Sequence, residues 1–159
     1  MSLSAADVDH LRRCVDLARR ALESGDEPFG SILVDADGEV RFSDHNHVAG
    51  GDATRHPELA IALWAVEHLS PQERAAATVY TSGEHCPMCA AAHAWVGLGR
   101  IVYAASSAQL TGWLQAWDAP SPPVAALPVS AVAPGVPVDG PALELADTMK
   151  ALYEKAFRR

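Results

Sequence analysis

The sequence predicts an α/β fold on a mixed sheet, and three local patterns predict it. An amphipathic helix opens the chain, an Asp-Gly pair joins two short apolar runs as a hairpin, and a strand, a helix and a second strand follow at crossover spacing. A hairpin pairs its strands antiparallel and a right-handed crossover pairs them parallel, so both kinds of neighbour are required.

From Ala5 to Leu22, apolar side chains recur at Val8, Leu11, Val15, Ala18 and Leu22 with Arg and Asp between them, a helical stripe that stops before Ser24-Gly25. The runs 29–34 and 39–45 flank Asp35-Ala36-Asp37-Gly38 and read as two antiparallel strands. A polar loop, 48–55, leads to a helix over Pro57–Leu69, whose first residue suits the position where a helix has a spare N–H. Residues 78–81 read as a strand, Pro87 opens a second proline-initiated helix running to about Val96, and 100–105 is the parallel partner strand. A short helix is predicted over 111–118. Six of the eleven prolines fall between Pro120 and Pro137, which excludes a long helix there because each proline removes a donor and clashes with the preceding turn. Val129–Val132 is read as an edge strand and 141–157 as a final amphipathic helix.

With 159 residues, 49% hydrophobic and 20% charged, the chain is read as one domain over 1–159, in which 119–140 is a packed connection. A net charge of −8 disfavours a nucleic-acid partner, since that affinity comes from Lys and Arg displacing counterions. Arg12, Arg13, Arg19 and Arg20, and Lys150, Lys155, Arg158 and Arg159, leave room for local basic patches. No apolar run approaches a membrane span and no secretory leader pattern opens the chain, so a cytoplasmic location without membrane contact is expected. Three cysteines, two of them in Cys86-Pro87-Met88-Cys89, point to metal or redox chemistry rather than disulfides.

His56-Pro57-Glu58 and Cys86-Pro87-Met88-Cys89 each begin a predicted helix. One imidazole and two thiolates supply three ligands to a zinc ion and leave its fourth tetrahedral position open to water, the pattern of a catalytic site. Zinc lowers the pKa of bound water toward about 7. Glu58, two residues from His56, is placed to take that water's proton, pass it to a ring nitrogen of an amino-substituted heterocycle and protonate the departing amine. A redox dithiol would leave His56 and Glu58 unexplained. A four-ligand structural site would need a further Cys or His, for which Cys14, His85 and His93 are available. His10, His45, His47 and His68 are read as surface or loop residues without a role.

On these residues the chain resembles the cytidine and deoxycytidylate deaminase superfamily, whose signature is His-x-Glu followed by Pro-Cys-x-x-Cys. The resemblance covers roughly 11–106. Glu27-Pro28-Phe29-Gly30-Ser31-Ile32-Leu33-Val34 is similar to the guanine deaminase and tRNA adenosine deaminase branch, and Thr81-Ser82-Gly83-Glu84 to its guanine deaminase side. The resemblance implies a three-layer α/β/α fold with a five-stranded mixed sheet, one zinc per chain, a homodimer and a small nucleobase or nucleoside substrate, guanine-like in type. It also implies candidate substrate contacts at Asn46, Phe29, Pro57, Glu84, His85 and Trp95. Each has a purely structural alternative: a turn for Asn46, core for Phe29, backbone bonding for Glu84, loop stiffening for His85, packing or a dimer interface for Trp95.

The chain departs from the family at two of these positions. Pro57 replaces an Ala or Val whose N–H commonly meets the substrate, and His85 replaces the proline before the first cysteine. The acidic segment associated with guanine deaminases is also missing after Ser106. The competing functions are a tRNA adenosine deaminase, which would need a cationic track, and a non-catalytic zinc-stabilised module or subunit, which would have no use for Glu58.

Overall fold

The computed structural model describes residues 2–158; Arg159 of the C-terminal basic cluster lies outside them. Helix α1, Ala5–Glu23, is started by Ser4, whose Oγ accepts the Asp7 N–H while the Asp7 carboxylate accepts the Ser4 N–H. β1, Gly30–Val34, and β2, Val40–His45, form the expected antiparallel hairpin. α2, Pro57–His68, follows, then a short helix α3, Pro71–Ala76, which periodicity did not show. β3, Thr78–Gly83, and β4, Ile101–Ala105, are parallel across the crossover helix α4, Pro87–Trp95. α5, Ser107–Ala116, begins four residues before its predicted start because Ser106 and Gln109 form a capping box.

Two expectations in the C-terminal third are corrected. Val129–Val132 is a single helical turn, α6, and not an edge strand: its first N–H is captured by the Glu84 carboxylate at 2.8 Å. The edge strand is instead β5, Val138–Asp139, parallel to β4. The last helix, α7, Ala146–Phe157, starts later than Pro141, since the Ala142 N–H still bonds the Ala104 carbonyl along the sheet.

The sheet runs β2-β1-β3-β4-β5, with β1 antiparallel to both neighbours. Strand alternation divides the core in two. Ile32, Val34, Tyr80, Val102 and Ala104 face α1 and α7, whereas Leu33 and Val79 pack on Ile61, Ala62 and Ala65 of α2. Both faces of the sheet are covered, which explains why β1 is buried along its whole length. α1 lies so close to β1 that a Cβ on Gly30 would collide with Leu17 and the Cys14 carbonyl. Among the described residues, no helix is long and apolar enough to cross a membrane. Part of the early basic cluster is neutralised locally: Arg12 pairs with Asp9 and Glu144, and Arg19 with Asp16.

A buried ion pair ties this frame together at the end of the sheet where β4 begins. Both guanidinium Nη atoms of Arg100 donate to the Asp7 carboxylate, at 2.9 and 3.1 Å, and its Nε donates to Asp139 at 2.7 Å. The Tyr80 hydroxyl donates to Asp7 at 2.8 Å. Burial opposes the charge on Asp7, but Arg100, the Ser4 N–H and Tyr80 outweigh it and hold the carboxyl far below the ordinary range. A depressed folded-state pKa contributes stability above the unfolded value near 4, and that contribution fades as pH falls below it. Asp7→Asn should therefore lower unfolding free energy at pH 7 by about 2 kcal/mol, the usual cost of breaking a buried pair discounted for the partial exposure of Arg100. Denaturant melts of the variant should also show a weaker loss of stability between about pH 4 and pH 2 than the parent.

Candidate active site

The two proline-initiated helices converge at the carboxyl end of β3. His56 is the cap residue of α2 and Cys86 that of α4, both in extended backbone and neither spending its side chain on the cap. Proline at the first helical position keeps each helix from extending backward over its cap. His56 Nδ1 lies 3.5 Å from Cys86 Sγ and 3.6 Å from Cys89 Sγ, and the three ligand atoms are within 4.8 Å of one another. A tetrahedral zinc with bonds of about 2.05 Å to nitrogen and 2.3 Å to sulfur separates these atoms by about 3.6 Å. The set thus fits zinc, and a fourth position would remain for a non-protein ligand.

The three groups are electrostatically coupled, and without an ion one negative charge is shared among them. Hydrogen bonding from Cys89 and His56 brings the Cys86 thiol down to about 4 despite its burial. Cys89 is pushed up, first by its bond to Cys86 and then by burial, so the two sulfurs share one thiolate charge. That charge in turn raises His56, chiefly through its bond to Cys86.

Glu58 is buried, 5% exposed, in the first turn of α2. Its Oε1 lies 3.0 Å from both Ser31 Oγ and Thr81 Oγ1, and those two hydroxyls are 2.8 Å apart. The strands explain the triangle. Ser31 of β1 and Thr81 of β3 are register partners and share the sheet face that carries Leu33 and Val79 against α2. Each hydroxyl has one proton to give, and the Gly83 carbonyl, 2.9 Å from Thr81 Oγ1, can only accept. With Thr81 donating to Gly83, Ser31 donates to an ionised Glu58; when Glu58 carries the proton it donates to Ser31, which turns to Thr81. One hydroxyl rotation therefore satisfies either state. Burial raises the Glu58 carboxyl above its ordinary range, an effect opposed in part by His56. Ser31 and Thr81 were not singled out from the sequence, and neither was Glu27, a half-buried carboxyl raised by burial and near enough to His56 to feel its charge.

The structure distributes the remaining candidates unevenly. Asn46 is buried at the end of β2, with its Oδ1 accepting the N–H groups of Glu27 and Val48, so the group it has to offer a ligand is its amide NH2. Phe29 packs on Tyr153 and Phe157 of α7, and Pro57 is buried at the start of α2. Three residues named by the resemblance lie or bond elsewhere in this chain. Trp95 is 89% exposed at the far end of α4, which nine residues of helix place about 13 Å along the axis from Cys86. Both Glu84 oxygens are taken by backbone donors, Ser107 at 2.9 Å and Val129 at 2.8 Å, and it lines a separate cavity of about 370 Å3 with Tyr103, Ser106 and Pro128. His85 is turned into the protein against His93, edge to face at 5.4 Å, and burial lowers it well below the ordinary range, so its ring is neutral.

Comparison with known proteins places this geometry. The chain is 34% identical over 108 residues to "Probable cytosine deaminase" of Schizosaccharomyces pombe, a match covering 68% of this chain and 65% of that protein. It is 36% identical over 89 residues to a tRNA-specific adenosine deaminase of Agrobacterium fabrum, covering 55% of this chain and 58% of that one. The chain therefore spans less than two thirds of either relative's length. Its fold is shared with the guanine deaminase of Nitrosomonas europaea, with a TM-score of 0.69 and 21% identity over 98% of this chain and 86% of that one. The cytidine and deoxycytidylate deaminase zinc-binding region matches residues 4–105, the stretch that contains His56, Glu58, Cys86 and Cys89, and the chain belongs to this family.

Proposed function

We propose that the protein is a zinc-dependent hydrolase that replaces the amino group of a nucleobase, nucleoside or related heterocycle by a carbonyl and releases ammonia. The observation that carries this reading is the buried Glu58 carboxyl, held by Ser31 and Thr81 in a network that accommodates it with or without a proton, two residues from His56. A scaffold has no need of such a group.

In this reading His56, Cys86 and Cys89 hold the ion, which when bound supplies the Lewis acidity that makes water a nucleophile near neutral pH. Glu58 accepts a proton from the attacking water, delivers it to the ring nitrogen beside the reacting carbon, and passes the next one to the leaving amine. The balance is one water consumed and one ammonia released per carbonyl formed. The Asn46 amide orients the ring, and Pro57, which has no N–H, makes that orientation depend on other donors. Ser31 and Thr81 position Glu58. Ser31→Ala should lower turnover by about tenfold, the worth of one hydrogen bond to an ionisable group, with zinc content unchanged by elemental analysis.

Within this class a guanine-type purine is the proposed substrate. The Thr81-Ser82-Gly83-Glu84 motif supports it, and so does a relative named for that activity, the guanine deaminase of Bacillus subtilis, at 31% identity over 96 residues. A tRNA substrate has the support of the Agrobacterium relative but is opposed by the −8 net charge. Assays on guanine, cytosine and a tRNA anticodon stem-loop at two salt concentrations separate the readings. Turnover of guanine, insensitive to salt, is expected; strongly salt-dependent deamination of the stem-loop would reverse the order. A homodimer is part of the same proposal, with exposed Leu63, Val66 and Trp95 on α2 and α4 as its candidate face. Trp95→Glu should then shift the sizing elution toward monomer.

A further inference from the structure

A second group of ligand-type side chains lies where β2 ends, on either side of Asn46. Ligand atoms of Asp26, His45 and His47 are all within 4.8 Å of one another, and none of the three belongs to the His56, Cys86, Cys89 set. We infer that these residues form a second metal site, one that takes a divalent first-row transition ion.

The hydrogen bonds around the three side chains carry the inference. His45 Nδ1 is 2.8 Å from the Asn46 carbonyl, which can only accept, so the proton sits on Nδ1 and the Nε2 lone pair is free. His47 Nε2 is 2.8 Å from an Asp44 carboxylate oxygen, which fixes its proton there and frees Nδ1. Asp26 accepts the Ala49 N–H through Oδ1 and keeps Oδ2 free. An imidazole whose far nitrogen donates to a backbone carbonyl or a carboxylate is the arrangement that orients histidines on metals. Both rings have it, and they face one another at 4.4 Å between centroids. All three side chains are half-buried, and Asp26 and Asp44 supply negative charge.

Two imidazole nitrogens and one carboxylate oxygen suit Zn2+, Ni2+, Co2+ or Cu2+, whereas Mg2+ and Ca2+ prefer oxygen alone. With bonds near 2.1 Å, ligand atoms on one ion stand about 3.0 to 4.2 Å apart, a range that the upper limit of 4.8 Å between these atoms exceeds only slightly. An ion there would clamp the Asp26 turn to the end of β2 around Asn46. Two of the four histidines read from the sequence as without a role thereby acquire one.

The test is equilibrium dialysis of the zinc-loaded protein against Ni2+, with both metals counted by elemental analysis. About one nickel per chain should bind while zinc stays near one. Asp26→Asn, His45→Ala and His47→Ala should each weaken nickel at least tenfold, and Asp44→Asn about tenfold, the usual effect of losing a group that orients a ligand. Retained zinc in every variant shows that the fold is intact. No nickel beyond the zinc, nickel that replaces zinc one for one, or unchanged nickel affinity in the variants would overturn the inference.

Discussion

Glu58→Gln is expected to lower turnover by about 10²- to 10⁴-fold while zinc remains near one per chain. Glutamine has the same shape, and its carbonyl oxygen can still accept from Ser31, so the bond at 3.0 Å survives the change. What it lacks is a proton it can take and give. The effect should fall on kcat, because a group that moves protons in the transition state contributes little to holding the substrate. Metal content and turnover measured on the same preparation decide the matter: wild-type activity in the variant would remove Glu58 from the chemistry, and a variant without zinc would make it a structural prop of the centre.

Loss of a ligand should have the other large effect. Cys89 is fully buried and sits against His56 and Cys86, and its sulfur is the part of the centre most shielded from water. Cys89→Ala should take zinc from near one per chain toward zero and abolish turnover with it. Binding of an ion to the folded state alone stabilises that state by about 4 kcal/mol at a thousandfold excess over Kd. For a chain of this size that corresponds to a fall in Tm on the order of 10 °C, readable by calorimetry. Chelator treatment of the parent should reproduce the shift, and added zinc should reverse it in the parent only.

Much of this architecture was legible in the chain because it is written in local signals. The Asp-Gly hairpin, the crossover unit and the two proline-initiated helices lie where periodicity and turn chemistry put them, and the His56, Cys86 and Cys89 spacing announced the centre. Two misses were also local. The capping boxes Ser70-x-x-Glu73 and Ser106-x-x-Gln109 mark the starts of α3 and α5, where the apolar stripe is too weak to show a helix start. Others lay beyond local signals. Ser31 and Thr81 meet Glu58 only because β1 and β3 pair in one particular register, which strands fifty residues apart do not declare. Glu84 is drawn away from the centre by backbone donors of α5 and α6, and Val129 turns helical in answering it. Trp95 followed the family motif in sequence, yet the length of α4 carries it to the opposite end of the helix.

Oxygen labelling tests the hydrolytic centre most directly. The zinc-loaded protein is incubated in H2(18)O with a panel of amino-substituted purines, pyrimidines and triazines, and ammonia and product mass are measured together. The account predicts that at least one panel member yields its carbonyl product with one labelled oxygen and one ammonia per molecule, and that Glu58→Gln forms it at the reduced rate given above. Unlabelled product, or no ammonia from any member at full zinc loading, would contradict it.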